Sequence, residues 1–439
     1  MFRNMQSLLS ALFLYYGAAT LAQASSNLLP NIRATYGSSP APFTIDVEPR
    51  FIDDVRQRVT NARSPIPPGG YEPDYSDGPT LANFTTLQNY WLDHYNWYAE
   101  QASINAKLKQ FTTTVQSPDS NYTHNVPLHF VHHRSERADA IPLLFVHGWP
   151  GSFLEVTKII DLLTSPPNSS VPAFHVVAPS IPGFGFSPAP SHNNYGTEEA
   201  GHSFHALMQQ LNYTKYVYQG GDIGGWILRH QAASYPDQLV TALSNFWIQK
   251  PNDTDLARYA ANETSLGETT YIRTVENYIV NLSGYRVEQQ TQPLTLGYLA
   301  SDSPLGFALW IYALMRLDVE PGSPNWTPGE IITWSLMYTI QGPLGGFRMY
   351  RGMFLENDFH GTGFGTPPFV TQPVGVTQRP YDFGVGLPLE WMQRGGNVKV
   401  VYVHDHGGHF AAYRSPNSLV DDMYRWFGDR ELSGTKVFY

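Results

Sequence analysis

The chain has 439 residues, 42% hydrophobic and 15% charged, the composition of a globular protein with a sizeable core; disordered, collagen-like and coiled-coil classes are excluded. Its 37 acidic and 27 basic side chains leave a formal charge of −10, which repels phosphate backbones and anionic lipid surfaces, so nucleic acid is not expected as a partner. With no cysteine, thiolate catalysis, iron–sulfur clusters, cysteine-type zinc sites and disulfides are ruled out, and any chemistry runs on oxygen or nitrogen groups.

Residues 1–24 have the layout of a secretory signal: Arg3, an apolar run from Leu8 to Leu21, then Ala22-Gln23-Ala24. The run is short for a bilayer span, so no stable membrane span is expected after cleavage; a retained anchor is the alternative. Eight Asn-x-Ser/Thr sites, at Asn83, Asn121, Asn168, Asn212, Asn252, Asn262, Asn281 and Asn325, could accept glycans in a secretory pathway.

Residues 25–135 read as helical rather than sheet-forming. Phe51, Ile52, Val55 and Val59 recur at helical spacing within 49–63, and 91–110 is a second amphipathic stretch. Between them, Pro65-Ile66-Pro67-Pro68-Gly69-Gly70 through Asp77-Gly78-Pro79 is a loop. From about residue 127 the period changes. Leu128-His129-Phe130-Val131 alternates, and Ile141 to Val146 is a continuous apolar run of strand length.

A strand–helix rhythm follows, with helix 153–163, strand 174–178, helix 196–211, strand 216–219, helix 224–233 and strand 239–243, which implies a parallel sheet. From 246 to 368 aromatic-rich helical stretches replace the strands, as in an inserted cap. Strand character returns at 373–377 and 398–403, and an amphipathic helix, 418–427, closes the chain. The expected fold is α/β, with a mostly parallel sheet built from 136–245 and 369–439, a helical cap at 246–368 and an N-terminal helical extension at 25–135.

Tyr218-Gln219-Gly220-Gly221-Asp222-Ile223-Gly224-Gly225 runs a strand into small residues, one acid, small residues and a helix, which is the nucleophile-elbow pattern with Asp222 in the serine's place. A carboxylate at a helix N-terminus is held ionised and can attack carbon to form an ester. His147-Gly148-Trp149-Pro150-Gly151-Ser152 ends an apolar strand where a hydrolase places its oxyanion loop. Pro150 has no N–H, so the donors are Trp149 and Ile223, the residue after the nucleophile. His147 reads as a loop support.

The segment Val401-Tyr402-Val403-His404-Asp405-His406-Gly407-Gly408-His409 offers H-x-H-x-x-H to a zinc ion, but no nearby acid motif completes such a set, and an Asp elbow needs a base. The order nucleophile, acid, histidine selects His409 as base. His404 and His406 are read as loop or rim residues. The orienting acid falls on Asp382, after the preceding strand, with Glu390 and Asp405 as competitors.

Together with Pro179-Ser180-Ile181-Pro182-Gly183-Phe184-Gly185-Phe186-Ser187 and Gly407 to Ala412, these motifs make the chain resemble the microsomal-type epoxide hydrolases of the α/β-hydrolase superfamily. The resemblance spans nearly the whole mature chain. It implies two cap tyrosines that hydrogen-bond the epoxide oxygen, Tyr285 in Gly-Tyr-Arg-Val and Tyr350 in Phe-Arg-Met-Tyr. It also implies an endoplasmic-reticulum anchor in some members, the alternative to export. The expected activity is cofactor-free, metal-free hydrolysis of a lipophilic epoxide to a vicinal diol through an Asp222 ester. A haloalkane dehalogenase and a non-catalytic hydrophobic-ligand-binding homologue are the other readings, although the dehalogenase pattern typically has Trp where Ile223 stands.

Overall fold

A computed structural model describes residues 29–439 except 70, 72, 73, 118, 361 and 362, so the segment read as a signal, 1–24, lies outside the described residues. Among the described residues there are eleven strands: β1 (Ala41–Phe43), β2 (Gln110–Val115), β3 (Val126–His133), β4 (Ile141–Val146), β5 (Phe174–Pro179), β6 (Tyr216–Gly220), β7 (Leu239–Ser244), β8 (Phe359–His360), β9 (Gly363–Phe364), β10 (Val370–Gln378) and β11 (Gly396–Val403). Nine of them form one sheet in the order β1-β2-β3-β5-β4-β6-β7-β10-β11. The first three join antiparallel to one another and to β5, and every pairing from β5 onward is parallel.

β4 and β6 are almost wholly buried, as the unbroken apolar run 141–146 demands of a strand covered on both faces by helices. Helices Thr197–Gln210 and Ile223–Ser234 pack against each other. Register then decides what meets at the C-terminal edge. Val146 lies opposite Gly220, Gly220 opposite Ser244, and Gln378 opposite Val403, so the loops after β4, β6, β7, β10 and β11 emerge side by side. Open α/β sheets bind ligands at this edge.

The N-terminal region departs from the all-helical expectation. β1 and β2 lie in it ahead of β3, whose strand character from about residue 127 was expected, and 91–110 is no single helix: Leu81–Asp93 and Trp97–Lys107 are separate, and Gln110 already begins β2. Asn96 is the reason for the break, because its side chain takes the Tyr98 and Ala99 N–H groups and starts a new helix. The β-branched run Thr112-Thr113-Thr114-Val115 then pairs with β3 residue by residue. The stretch 153–163 also differs, as a 3₁₀ turn Phe153–Lys158 followed by the short helix Ile160–Thr164.

From Asp253 to Leu355 the chain is mostly helical, and among the described residues between β7 and β10 the strands are β8 and β9, paired with each other. The N-terminal region ties down these helices: Arg58 pairs with Asp302 at 2.8 Å, Tyr95 Oη meets Thr333 Oγ1 at 2.9 Å, and Asn31 donates to the Ile340 carbonyl at 2.7 Å. No helix among the described residues is long and apolar enough to cross a membrane.

The close approach of the Ile223–Ser234 helix to β4 depends on Gly224, where a Cβ would lie 2.2 Å from the Val146 carbonyl oxygen. Gly224→Ala is expected to destabilise the protein by about 1–3 kcal/mol, as overpacking does. Gly284→Ala, whose Cβ meets nothing within 4 Å, should be neutral or slightly stabilising. Thermal unfolding of the two variants beside the parent checks the contrast.

Candidate active site

Asp222 sits between the end of β6 and the helix it caps, with φ 51° and ψ −124°, a conformation that a non-glycine residue adopts only when its surroundings impose it. The surroundings do impose it. A Cβ on Gly221 would fall 2.4 Å from the Asn245 side chain and one on Gly148 would fall 2.3 Å from Asp222 Oδ1, so the turn closes only with small neighbours. Tyr218 Oη donates to the Gly224 carbonyl at 2.7 Å and pins the far side.

The loop after β4 brings the Trp149 N–H to 2.8 Å from Asp222 Oδ1. Ile223 is the first residue of the following helix, so its N–H has no intrahelical acceptor. On the other side, His409 Nε2 lies 3.4 Å from Asp222 Oδ2, while its Nδ1 lies 3.0 Å from Asp382 Oδ1. The loops carrying Asp382 and His409 extend the sheet's parallel pairing: Tyr381 bridges to Gly408, and the Tyr381 N–H donates to the Gly407 carbonyl at 3.2 Å. Asp382 is further held by the Phe383 N–H at 2.8 Å.

Burial works against a charged His409. The Asp382 charge, and the hydrogen bonds and charge of Asp222 together with the Asp382 hydrogen bond, outweigh it and hold the imidazolium well above the usual 6.5. The competitors for the acid's place stand elsewhere. Asp405 is fully exposed and pairs with His406 at 2.9 Å, and Glu390 is exposed on the short helix Leu389–Met392. His404 pairs with Asp422 at 2.6 Å, so neither His404 nor His406 turns toward Asp222.

Tyr285, from helix Gly284–Thr291, stacks on Trp149 with ring centroids 5.1 Å apart, and Tyr350, from helix Leu344–Leu355, meets both edge-on at 5.9 and 6.0 Å. Burial raises both phenols well above 10, so both keep their protons. A cavity of about 270 Å³ is lined by Trp149, Asp222, Tyr278, Tyr285, Asp382, Phe383 and His409, among others. Tyr350 lines a small neighbouring cleft that shares Asp222 and Tyr285 as walls with this cavity.

Several residues here carry no motif of their own. Tyr278 bonds Tyr285 Oη to Oη at 3.0 Å and stacks on Phe383, which in turn stacks on His409. Asn245, after β7, donates to the His409 carbonyl at 3.3 Å. Glu155 is buried behind the Trp149 loop, and burial raises its carboxyl to about 8 despite the neighbouring His409 charge. Its sequence signal, Ser152-x-x-Glu155, reads as a helix cap; Ser152 does cap the turn, while the Glu155 carboxyl lies against Gly151 instead.

Residues 40–156 match the family model described as epoxide hydrolase N terminus, and 141–270 match the alpha/beta hydrolase fold. A protein of Stigmatella aurantiaca assigned as an epoxide hydrolase is 31% identical over 395 residues, covering 88% of this chain and 84% of the relative. Epoxide hydrolase 1 of Sus scrofa is 27% identical, with 89% of this chain and 91% of the relative covered. The solved Aspergillus niger epoxide hydrolase superposes with a TM-score of 0.75 at 26% identity, over 91% of this chain and 99% of that one. On these likenesses and on the Asp elbow at the edge of a mostly parallel sheet, the chain belongs to the microsomal-type epoxide hydrolases of the α/β-hydrolase superfamily.

Proposed function

We propose that the chain converts a lipophilic epoxide and water to a vicinal diol through an ester on Asp222. The observation that carries this reading is His409 lying between two carboxylates, one of which has its second oxygen on the Trp149 N–H. Asp222 attacks a ring carbon, the C–O bond of the epoxide breaks, and the ring oxygen takes a proton from Tyr285 or Tyr350. The product is a hydroxyalkyl ester, and the tyrosine regains its proton from water.

Ester formation removes the negative charge of Asp222, which is one of the contributions holding the proton on His409. The imidazolium then gives its proton to the hydroxide left when the tyrosinate was reprotonated, and the imidazole, oriented by Asp382, takes a proton from water as it adds to the ester carbonyl. The Trp149 and Ile223 N–H groups receive the oxyanion. Collapse breaks the ester C–O bond, the His409 proton goes to the leaving alkoxide, and the Asp222 carboxylic acid so formed gives its own proton to His409; diol leaves, and the imidazolium again faces an Asp222 carboxylate that now contains one oxygen from water. No metal or organic cofactor enters this scheme. The aromatic walls support an apolar substrate.

In a single turnover in heavy-oxygen water the label should appear in the Asp222-containing peptide and not in the diol, as mass spectrometry of both will show; label in the diol discards the ester. Asp222→Ala should form no diol. Asp382→Asn removes a charge that favours the imidazolium, so the acid limb of the kcat profile should move to lower pH while kcat falls; an unmoved limb separates Asp382 from His409.

The reading of 1–24 as a signal and of the sequons as glycan acceptors supports a place in the secretory pathway. All eight asparagines except Asn83, whose side chain is engaged in a helix capping box, are exposed. Protein from a eukaryotic host should lose mass on N-glycanase treatment, and its N-terminal sequence should begin near residue 25; an unchanged mass and an intact N-terminus reject export.

A further inference from the structure

We propose that His147 is the positioning residue of the oxyanion peptide: it grips the Gly148 carbonyl so that the other end of the same peptide group, the Trp149 N–H, points at Asp222. The inference rests on the ester mechanism above. His147 Nδ1 lies 3.0 Å from the Gly148 oxygen, and the Trp149 nitrogen lies 2.8 Å from Asp222 Oδ1. A peptide group is planar, so fixing its oxygen fixes the direction of its N–H. Gly148 cannot fix it by its own sterics, because a side chain there would strike Asp222. An outside bond is required, and His147 supplies it.

The tautomer follows from the other ring nitrogen. Ile181 N–H, which can only donate, meets His147 Nε2 at 3.1 Å, so Nε2 is bare and Nδ1 carries the proton given to Gly148. Burial keeps the ring neutral, pushing it down to about 4. This also gives the segment 179–187 a purpose. Ser180 N–H donates to the His129 carbonyl at 2.9 Å, Ser187 Oγ donates to the Ser180 carbonyl at 2.7 Å, and His129 Nδ1 meets Ser180 Oγ at 2.8 Å. These bonds hold the Ile181 N–H in place. His147 itself is buried and does not line the catalytic cavity, so it acts only through the Trp149 peptide.

Two substitutions separate the two ring contacts. In His147→Asn the amide nitrogen stands where Nδ1 stood and can serve the Gly148 carbonyl. In His147→Gln the amide oxygen reaches the place of Nε2, serving Ile181 and leaving the carbonyl without a donor. With styrene oxide as probe, rapid-quench intact-mass measurement gives separate rates for ester formation and ester breakdown. Removing one oxyanion donor outright costs roughly 100-fold or more, so a misaimed one should cost on the order of 10-fold. The Gln variant is expected to break down its ester about tenfold more slowly than the Asn variant, with KM unchanged and ester formation less affected.

Equal breakdown rates in the two variants, a slower Asn variant, or equal loss in both steps from a smaller folded fraction overturns the proposal. Should neither variant fold, the unaltered enzyme labelled with ¹⁵N-histidine still decides: a buried ring protonated at Nε2 overturns it, and one protonated at Nδ1 supports it. A parent enzyme that forms no ester with any epoxide removes the covalent reading itself, and this inference with it.

Discussion

One imidazole held between two carboxylates is the constraint around which the rest is arranged. His409 spans Asp222 and Asp382 by its two nitrogens, and a shift of about an ångström in any of the three loops would break one of those bonds. Three ionisable groups this deeply placed are costly to keep charged unless each is paired and hydrogen-bonded. The backbone provides the Trp149 N–H for Asp222 and the Phe383 N–H for Asp382, and the Asn245 side-chain amide donates to the His409 carbonyl. The pairing of Tyr381 with Gly408 prolongs the sheet beyond β10 and β11, so the acid and the histidine are positioned by the same kind of bond that positions the strands.

In the proposed ester mechanism the same three groups explain when the imidazole becomes available as a base. While Asp222 is a carboxylate, its charge supports an imidazolium and the base is unavailable. Once esterified, Asp222 no longer does so. In that scheme the unprotonated base therefore appears when the ester exists, with no movement of the residues required. The aromatic stack of Tyr278, Phe364, Phe383 and His409 covers this arrangement from the cap side. Such walls lower the local dielectric and strengthen each of the charge interactions beneath them.

The N-terminal region has a mechanical part in this. Its bonds to Asp302, Thr333 and Ile340 all end on the helical insertion, so cap and core are joined by a third element as well as by the cap's own two connections. Tyr285 and Tyr350 come from different cap helices, yet both must meet Trp149 of the core. A cap free to rock would lose that meeting. The strap is a physical reason for an extension of this length to accompany the hydrolase fold.

The sequence alone determined the features that are local. Asp222 among glycines between a strand and a helix, a strand-ending His-Gly-Trp-Pro loop, and the strand–helix rhythm from 141 to 244 each follow from sterics and periodicity within a few residues, and the structure keeps them. Tyr285 and Tyr350 came from likeness to a family, because nothing in a helical aromatic distinguishes one facing a cavity from one in a core. Only tertiary structure decided the rest. β2 was hidden because a Thr-rich strand is legible only beside its partners, and Asn96 starts a second helix within the stretch 91–110. Asp382 was already favoured over Glu390 and Asp405 by its place after a strand, but its bond to His409, the aim of the Trp149 N–H, and the surroundings of Asn245 and Glu155 depend on which loops a nine-stranded register sets side by side. Such contacts join residues 27, 73 and 164 positions apart, and no local pattern encodes a distance across those separations.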